Sequence, residues 1–266
     1  MQSVSSKILY NEEVLPRYFR LGLQWKTPAI VPGHFLMVRV SGSLDPLLRR
    51  PFGVYKVLGS KWKSVFRGTG VELLYQVVGR GTKILSEKRA GESVDILGPL
   101  GNGFPDPERK QNPIMIAGGM GIVPLRLLAE KLKRGVVLFG ARGSSEAGIV
   151  KGFRGLGCRV KVATEDGSIG RRGLVTGLLK EEITPDSPDS VVYACGPVGM
   201  LKEAARIAQA EGVKCHVSLE RSMACGIGVC LGCAVKTRAR EEFKRYKMVC
   251  SDGPVFDSKE IDWEAL

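Results

Sequence analysis

The sequence predicts a multidomain protein: an antiparallel β-barrel, then an α/β domain built on a parallel sheet, then a small carboxyl-terminal domain rich in cysteine. Three observations predict it. Residues 1–105 carry short β-branched and aromatic runs split by Gly and Pro, without a helical period. From residue 113 to about 213, short apolar runs alternate with amphipathic helical ones, the grammar of a parallel sheet covered on both faces. Beyond 214 the alternation stops, and "CGIGVCLGC" packs three cysteines and three glycines into residues 225–233. The expected boundaries are 1–106, 107–213 and 214–266.

In the first part the strands are "HFLMVRV" (34–40), "FGVYKVL" (52–58), "VELLYQVV" (71–78) and "SVDILGPL" (93–100). Strands this short and regular suit a small barrel or sandwich. "FPDPERKQNP" (104–113), with three prolines among charges, reads as a linker. In the second part "PIMIAGG", "GVVLFGAR", "RVKVATED" and "SVVYACG" are strands. "VPLRLLAEKLKR", "GLVTGLLKEE" and "MLKEAARIAQAEG" are the helices between and after them.

The 266 residues carry a net charge of +13. The excess is spread, not concentrated: +8 over residues 1–110 (17 minus 9), +5 over 111–217 (15 minus 10) and zero over 218–266 (8 minus 8). Without a long basic tract interleaved with aromatics, no nucleic-acid partner is expected. No run of about 18 apolar residues occurs, so no membrane span is expected. The start "MQSVSSKILYNEE" lacks a basic-then-apolar signal pattern, which predicts a cytoplasmic location. A reducing compartment and an odd cysteine count, seven, argue against structural disulfides.

Four motifs carry candidate chemistry. "AGGMGIVP" joins a strand to a helix. Gly118, Gly119 and Gly121 clear side chains from a turn whose helix N-terminus suits a pyrophosphate, although a plain tight turn uses the same residues. "ACGPVGM" ends a later strand at the same sheet edge, so Cys195 faces a ligand or is simply a small buried residue. "RRPFGVY" and "GRGT" offer Arg50 and Arg80 for phosphates, Gly81 and Thr82 as donors, and Phe52 or Tyr75 for a planar ring; a strand start and a surface turn are the plain alternatives. Cys225, Cys230 and Cys233 follow C-x4-C-x2-C, and Cys250 comes sixteen residues later. That is the plant-type [2Fe–2S] spacing. A zinc site, which usually pairs two C-x2-C knuckles, is the next alternative, and inert buried thiols the third. Cys158, Cys195 and Cys215 lie outside the spacing.

In the order "RRPFG", "GRGT", "GGMGIVP" and "CGP", these motifs resemble the ferredoxin–NADP reductase superfamily. The segment "RSMACGIGVCLGCAVKT…YKMVCSDGPVF" resembles, within it, the electron-transfer subunits of type B dihydroorotate dehydrogenase. The resemblance covers nearly the whole chain. It implies a flavin domain in the barrel, an NAD domain in the α/β part and a [2Fe–2S] domain at the end. It implies FAD against Arg50, Pro51, Phe52, Gly53, Leu74, Tyr75, Gln76, Gly81 and Thr82. NAD, as substrate, would lie over Gly118, Gly119 and Gly121 and near Cys195, Gly196 and Pro197. The cluster ligands would be Cys225, Cys230, Cys233 and Cys250. The superfamily commonly has Ser or Thr where this chain has Gly53, so a side-chain hydrogen bond to the flavin is missing here.

The resemblance also implies a partner, an FMN-containing dihydroorotate dehydrogenase catalytic subunit, two of each chain forming a heterotetramer. The reaction is oxidoreduction in pyrimidine biosynthesis. Electrons pass through [2Fe–2S] and FAD to NAD+, and no residue of this chain is needed as a general acid or base. Two rivals remain. Flavin and iron–sulfur subunits of ferredoxin:NAD(P)+ oxidoreductases and sulfide dehydrogenases share the architecture, some with aspartate at the first cluster position. A zinc-bearing binding module has no redox role. Arg142, Ser144 and Ser145 follow "VVLFGA" where an acidic residue would mark NAD, so the residues leave NAD against NADP open.

Overall fold

A computed structural model of the chain describes residues 1–59, 65–183 and 189–266. The amino-terminal part holds β1 (Gln2–Leu15), β2 (Tyr18–Gln24), β3 (Phe35–Arg39), β4 (Arg50–Gly53), β5 (Lys56–Leu58), β6 (Gly70–Gln76), helix α1 (Arg80–Glu87) and β7 (Ser93–Leu100). The strands form one antiparallel sheet in the order β4-β3-β7-β1-β2-β6-β5. β1 divides its length between two neighbours, pairing with β7 from Gln2 to Lys7 and with β2 from Ile8 onward. The sheet is closed by the chain between β4 and β5. Val54 donates its N–H to His34 at one edge, and the next residue, Tyr55, donates to Glu72 at the other. Closure leaves no open edge there, and the interior fills with Leu21, Leu36, Val38, Leu73 and Ile96, all fully buried.

The central part runs β8 (Asn112–Gly118), α2 (Ile122–Leu132), β9 (Val136–Ala141), α3 (Ser144–Ala147), β10 (Arg159–Thr164), β11 (Arg171–Arg172), α4 (Val175–Glu182), β12 (Ser190–Cys195), α5 (Val198–Ala210) and β13 (Lys214–Ser218). The carboxyl-terminal part adds the hairpin β14 (Ala234–Lys236) and β15 (Tyr246–Met248), then β16 (Val255–Asp257). The second sheet has the order β11-β10-β9-β8-β12-β13-β16, parallel except for β16. Its inner strands read as unbroken apolar runs because both faces are covered. Along β8, Ile114 and Ile116 pack on the face that carries α4 and α5, while Met115 and Ala117 pack with α2. Leu127 of α2 also enters the barrel core, so one helix serves both parts.

Chain order in this sheet runs outward from β8 to β11, then returns to β12 on the other side of β8. That reversal creates a crevice at the carboxyl ends of β8 and β12, where open α/β sheets bind their ligands. The cysteine segment, residues 219–254, is an excursion between β13 and β16. It is closed at its base where Leu219 donates its N–H to Pro254 at 2.9 Å. Asn102, at the exit of the barrel, donates its N–H to Gly253 at 2.6 Å and its side-chain amide to the carbonyls of Ser251 and Asp252. Among the described residues no helix is long and apolar enough to cross a membrane.

Candidate functional site

The crevice opens into two adjoining cavities. The first, about 850 Å³, lies between the barrel and the central sheet. Every barrel residue anticipated from the sequence lines it: Arg50, Pro51, Phe52, Gly53, Leu74, Tyr75, Gln76, Gly81 and Thr82, together with Cys195. "GRGT" is not a surface turn but the start of α1. The Thr82 hydroxyl accepts from the N–H groups of Val78 and Gly79 and donates to the Gly79 carbonyl, so it closes the turn. The first-turn N–H groups of α1 have no partners within the helix. Beside them lies the Arg50 guanidinium, whose Nε would be 2.9 Å from a Cβ on Gly81. A cation against a helix start suits a phosphate. Arg80, by contrast, is spent on an exposed ion pair with Asp45 at 2.5 Å.

Tyr75 is buried, its ring stacked on Phe19 at 5.6 Å and edge-on to Phe52 at 5.7 Å, with its hydroxyl donated to Asn11. A Cβ on Gly53 would lie 3.3 Å from Val123 of α2. A side chain there would need that Val123 methyl to give by a few tenths of an ångström.

The second cavity, about 470 Å³, holds Gly118, Gly119 and Pro197 of the anticipated set and shares Gln76 and Met120 with the first. Gly121 and Gly196 line neither. They let the two sheet-edge turns touch: a Cβ on Gly121 would collide with the Cys195 carbonyl, and one on Gly196 would sit 2.9 Å from the Gly118 nitrogen. Sequence reasoning missed Tyr18, Glu146 and Glu165 in the second cavity and residues 218–223 in the first. Glu165 lies at the end of the run read as a strand (159–166), while the segments that carry Tyr18, Glu146 and residues 218–223 show no element by pattern. Burial pushes the Cys195 thiol well above its usual range, with Glu220 adding to the shift, so this cysteine is a neutral wall.

The four spaced cysteines gather in two pairs, outside the lining of the first cavity. The Cys233 and Cys250 sulfurs are 3.2 Å apart, and the Cys230 N–H donates to the Cys225 sulfur at 3.5 Å. Among the described residues no three metal-ligating side chains converge on one point. Two thiol pairs suit two irons, each taking two thiolates. Backbone N–H groups point at the sulfurs: Ile227 and Cys230 at Cys225, Gly228 at Cys250 (3.1 Å) and Cys250 at Cys233. Burial pushes the Cys225 thiol up, but those donors outweigh it and bring it down to about 6. Burial and the neighbouring Cys233 push Cys250 up to about 12, the cost of an uncompensated thiol pair. Gly226 makes the wrap possible. Its φ is +75°, and a Cβ would be 2.5 Å from Met37 of the barrel, so the loop lies directly on β3.

Residues 220–262 match the family model described as the iron–sulfur cluster binding domain of dihydroorotate dehydrogenase B. The chain is 40% identical over 97% of its length, and 98% of the relative's, to the electron transfer subunit of NAD(+)-type dihydroorotate dehydrogenase B from Caldanaerobacter subterraneus. It is 38% identical to the Bacillus pumilus subunit over 86% of this chain and 85% of that one. It is 37% identical to the Aquifex aeolicus homolog over 98% of this chain and 99% of that one. Among solved structures it superposes on an NADH-dependent reduced ferredoxin–NADP oxidoreductase with a TM-score of 0.82 at 26% identity, covering 98% of this chain and 91% of that one. A ferredoxin reductase of carbazole 1,9a-dioxygenase, at 19% identity and TM-score 0.67 over 80% of this chain and 66% of that one, shares the fold. The chain belongs to the family of electron transfer subunits of dihydroorotate dehydrogenase B.

Proposed function

We infer that this chain takes electrons from a dihydroorotate-oxidising catalytic subunit and delivers them, through a [2Fe–2S] cluster and FAD, to NAD+. The observation that carries the reading is an unbroken line of sites. The cysteine loop rests on the barrel at Met37, its stem residue Met223 lines the first cavity, and that cavity shares Gln76 and Met120 with the second. When bound, FAD supplies the exchange between single electrons and a hydride.

The chain's own residues bind and orient. Arg50 and the α1 start, with Gly81 and Thr82, would hold the FAD phosphates, while Pro51, Phe52, Gly53, Leu74, Tyr75 and Gln76 shape the wall along the ring. NAD would lie over Gly118 and Gly119 toward Cys195, with Gly121, Gly196 and Pro197 keeping the two turns in contact. Cys225 with Cys230 and Cys233 with Cys250 would hold the cluster. No side chain is assigned a proton-transfer role. A cytoplasmic location accords with seven cysteines of which none is in a disulfide.

The purified chain should carry flavin, iron and sulfide, reduce a dye with NADH, and support dihydroorotate-dependent NAD+ reduction once joined to an FMN catalytic subunit. A colourless, zinc-containing protein would sink the reading. A ferredoxin:NADP oxidoreductase role keeps the same architecture with another donor. Relatives at 34–40% identity named for the dihydroorotate enzyme weigh against it, set beside 26% for that structure.

The partner, an FMN subunit in a complex with two of each chain, would dock on the cluster loop. Met223 packs inward on the central core, but Ile227, Val229 and Leu231 are 41%, 75% and 65% exposed around the exposed Cys230. Changing Ile227 or Leu231 to Lys should weaken binding of the FMN subunit about tenfold or more, the scale of a lost interface anchor. NADH-to-dye activity and the cluster spectrum should stay as they were. Unchanged affinity in both variants, measured by titrating the FMN subunit, would place the docking face elsewhere.

A further inference from the structure

The second cavity contains a carboxylate that strand-end reasoning does not find. The residue that follows β9 is Arg142, which by itself would welcome a 2′-phosphate. Four residues on, the short helix α3 turns the chain back, and Glu146 accepts the N–H of Arg142 at 3.2 Å. The carboxylate is thus returned to the strand end. From the other side of the crevice Tyr18, on barrel strand β2, lines the same cavity, its phenol pushed up by burial and by the Glu146 carboxylate beside it. The turn that carries α3 is pinned in turn, Ser144 donating its N–H to Ser168 at 2.8 Å and Ser168 bonding Asp166.

We propose that Glu146 reads the adenosine ribose of the dinucleotide and makes this cavity select NAD+ over NADP+. The inference rests on the reading of this cavity as the NAD site and names the residue that sets its specificity. A carboxylate offers about four acceptor positions. One is taken by the Arg142 N–H, which leaves acceptors on a residue that lines the cavity, where a ribose diol brings two donors. A 2′-phosphate brings no donor and close to two further negative charges. The charged side chains among the described lining residues are Arg142 against Glu146, Glu165 and Glu203, so the wall as a whole disfavours that charge. Glu203 is engaged by Arg206 and Lys180, and Glu165 stands exposed after β10. Glu146 is half-buried and held by the Arg142 N–H, which makes it the preorganised acceptor. Tyr18 is a positioning residue, and it ties the specificity of the central part to the barrel.

The test uses the full chain with flavin and cluster bound, titrated calorimetrically with NAD+ and with NADP+, alongside NADH- and NADPH-to-dye kinetics. Glu146→Gln should raise the Kd for NAD+ about tenfold, the scale of one charge-assisted hydrogen bond, while NADP+ binding holds or tightens. The ratio of kcat/KM for NADH over NADPH should shrink by at least as much. Tyr18→Phe keeps the ring and should shift both ratios the same way by a smaller factor. An unchanged binding ratio in Glu146→Gln, with wild-type flavin content, overturns the inference. So does a Glu165→Gln variant that alone carries the whole change. If the unaltered chain binds neither dinucleotide, the reading of the cavity itself falls, and this inference with it.

Discussion

Cys233→Ser should yield a flavin-bearing protein nearly stripped of iron and sulfide. Cys233 is 2% exposed, with its sulfur 3.2 Å from that of Cys250, and it accepts the Cys250 N–H at 3.4 Å. A serine oxygen is smaller, harder and far less acidic than a thiol, so it neither fills the space nor supplies the soft anionic ligand that iron needs. With the proposed ligation, two thiolates to each iron, losing one buried ligand should drop iron content to about a tenth or less. Dihydroorotate-to-NAD+ activity of the assembled complex should fall with it. NADH-to-dye activity should remain, because Cys233 lines neither cavity. Cys230→Ser, at the exposed position, should lose the cluster too. Iron and sulfide assays with the visible spectrum decide the matter, and full iron retention with an unaltered spectrum in either variant would remove these cysteines from the ligand set.

The second large effect is expected at Gly121. A methyl group there would press into the Cys195 carbonyl and the Gly196 nitrogen, both backbone atoms that cannot rotate aside. Gly121→Ala must therefore push the β8–α2 turn away from the β12–α5 turn. Such overpacking costs about 2–4 kcal/mol, and the melting temperature should fall by on the order of 5–10 °C. The same displacement moves the N-terminus of α2 out of line with the crevice, so NAD+ should bind more weakly as well. Gly199→Ala is the contrast. It lies in the first turn of α5 with nothing within 4 Å of the added methyl, and by restricting the unfolded chain the change should gain about 0.4–1 kcal/mol. Thermal melts of the two variants side by side test the argument, and equal melting temperatures would refute it.

The parallel-sheet half was legible because its strands are buried on both faces and announce themselves as apolar runs. Residues 114–117 and 136–139 are fully buried, and both were read correctly. The barrel's first two strands were not read. β1, "QSVSSKILYNEEVL", mixes exposed and buried positions because it passes from one neighbour to another midway, with a bulge near Ile8, so no single period persists. α1 was read as a turn because its glycines and threonine are turn residues, and here they serve as its start. The cysteine spacing was the clearest signal, since cluster ligation fixes which residues and at what intervals. What escaped was everything long-range. The return of β16 to the central sheet, the meeting of Tyr18 and Glu146 in one cavity and the wall made by residues 218–223 join segments whose local sequence shows no mutual pattern.

The base of the cysteine excursion has a consequence for how the chain can be cut. Ser218 and Val255 are direct antiparallel partners, so the 36 residues between them begin and end at neighbouring points. Topologically the excursion is a removable cassette, and a hairpin turn of a few residues would close the gap it leaves. Functionally it is not detachable. Residues 219–223 and Pro254 are part of the wall of the first cavity. Excising the cassette would therefore expose the flavin to water as well as disconnect it from its electron source. A truncated chain of this kind would be expected to leak electrons to dissolved oxygen, a fault that transplanting the segment into other reductases would have to avoid.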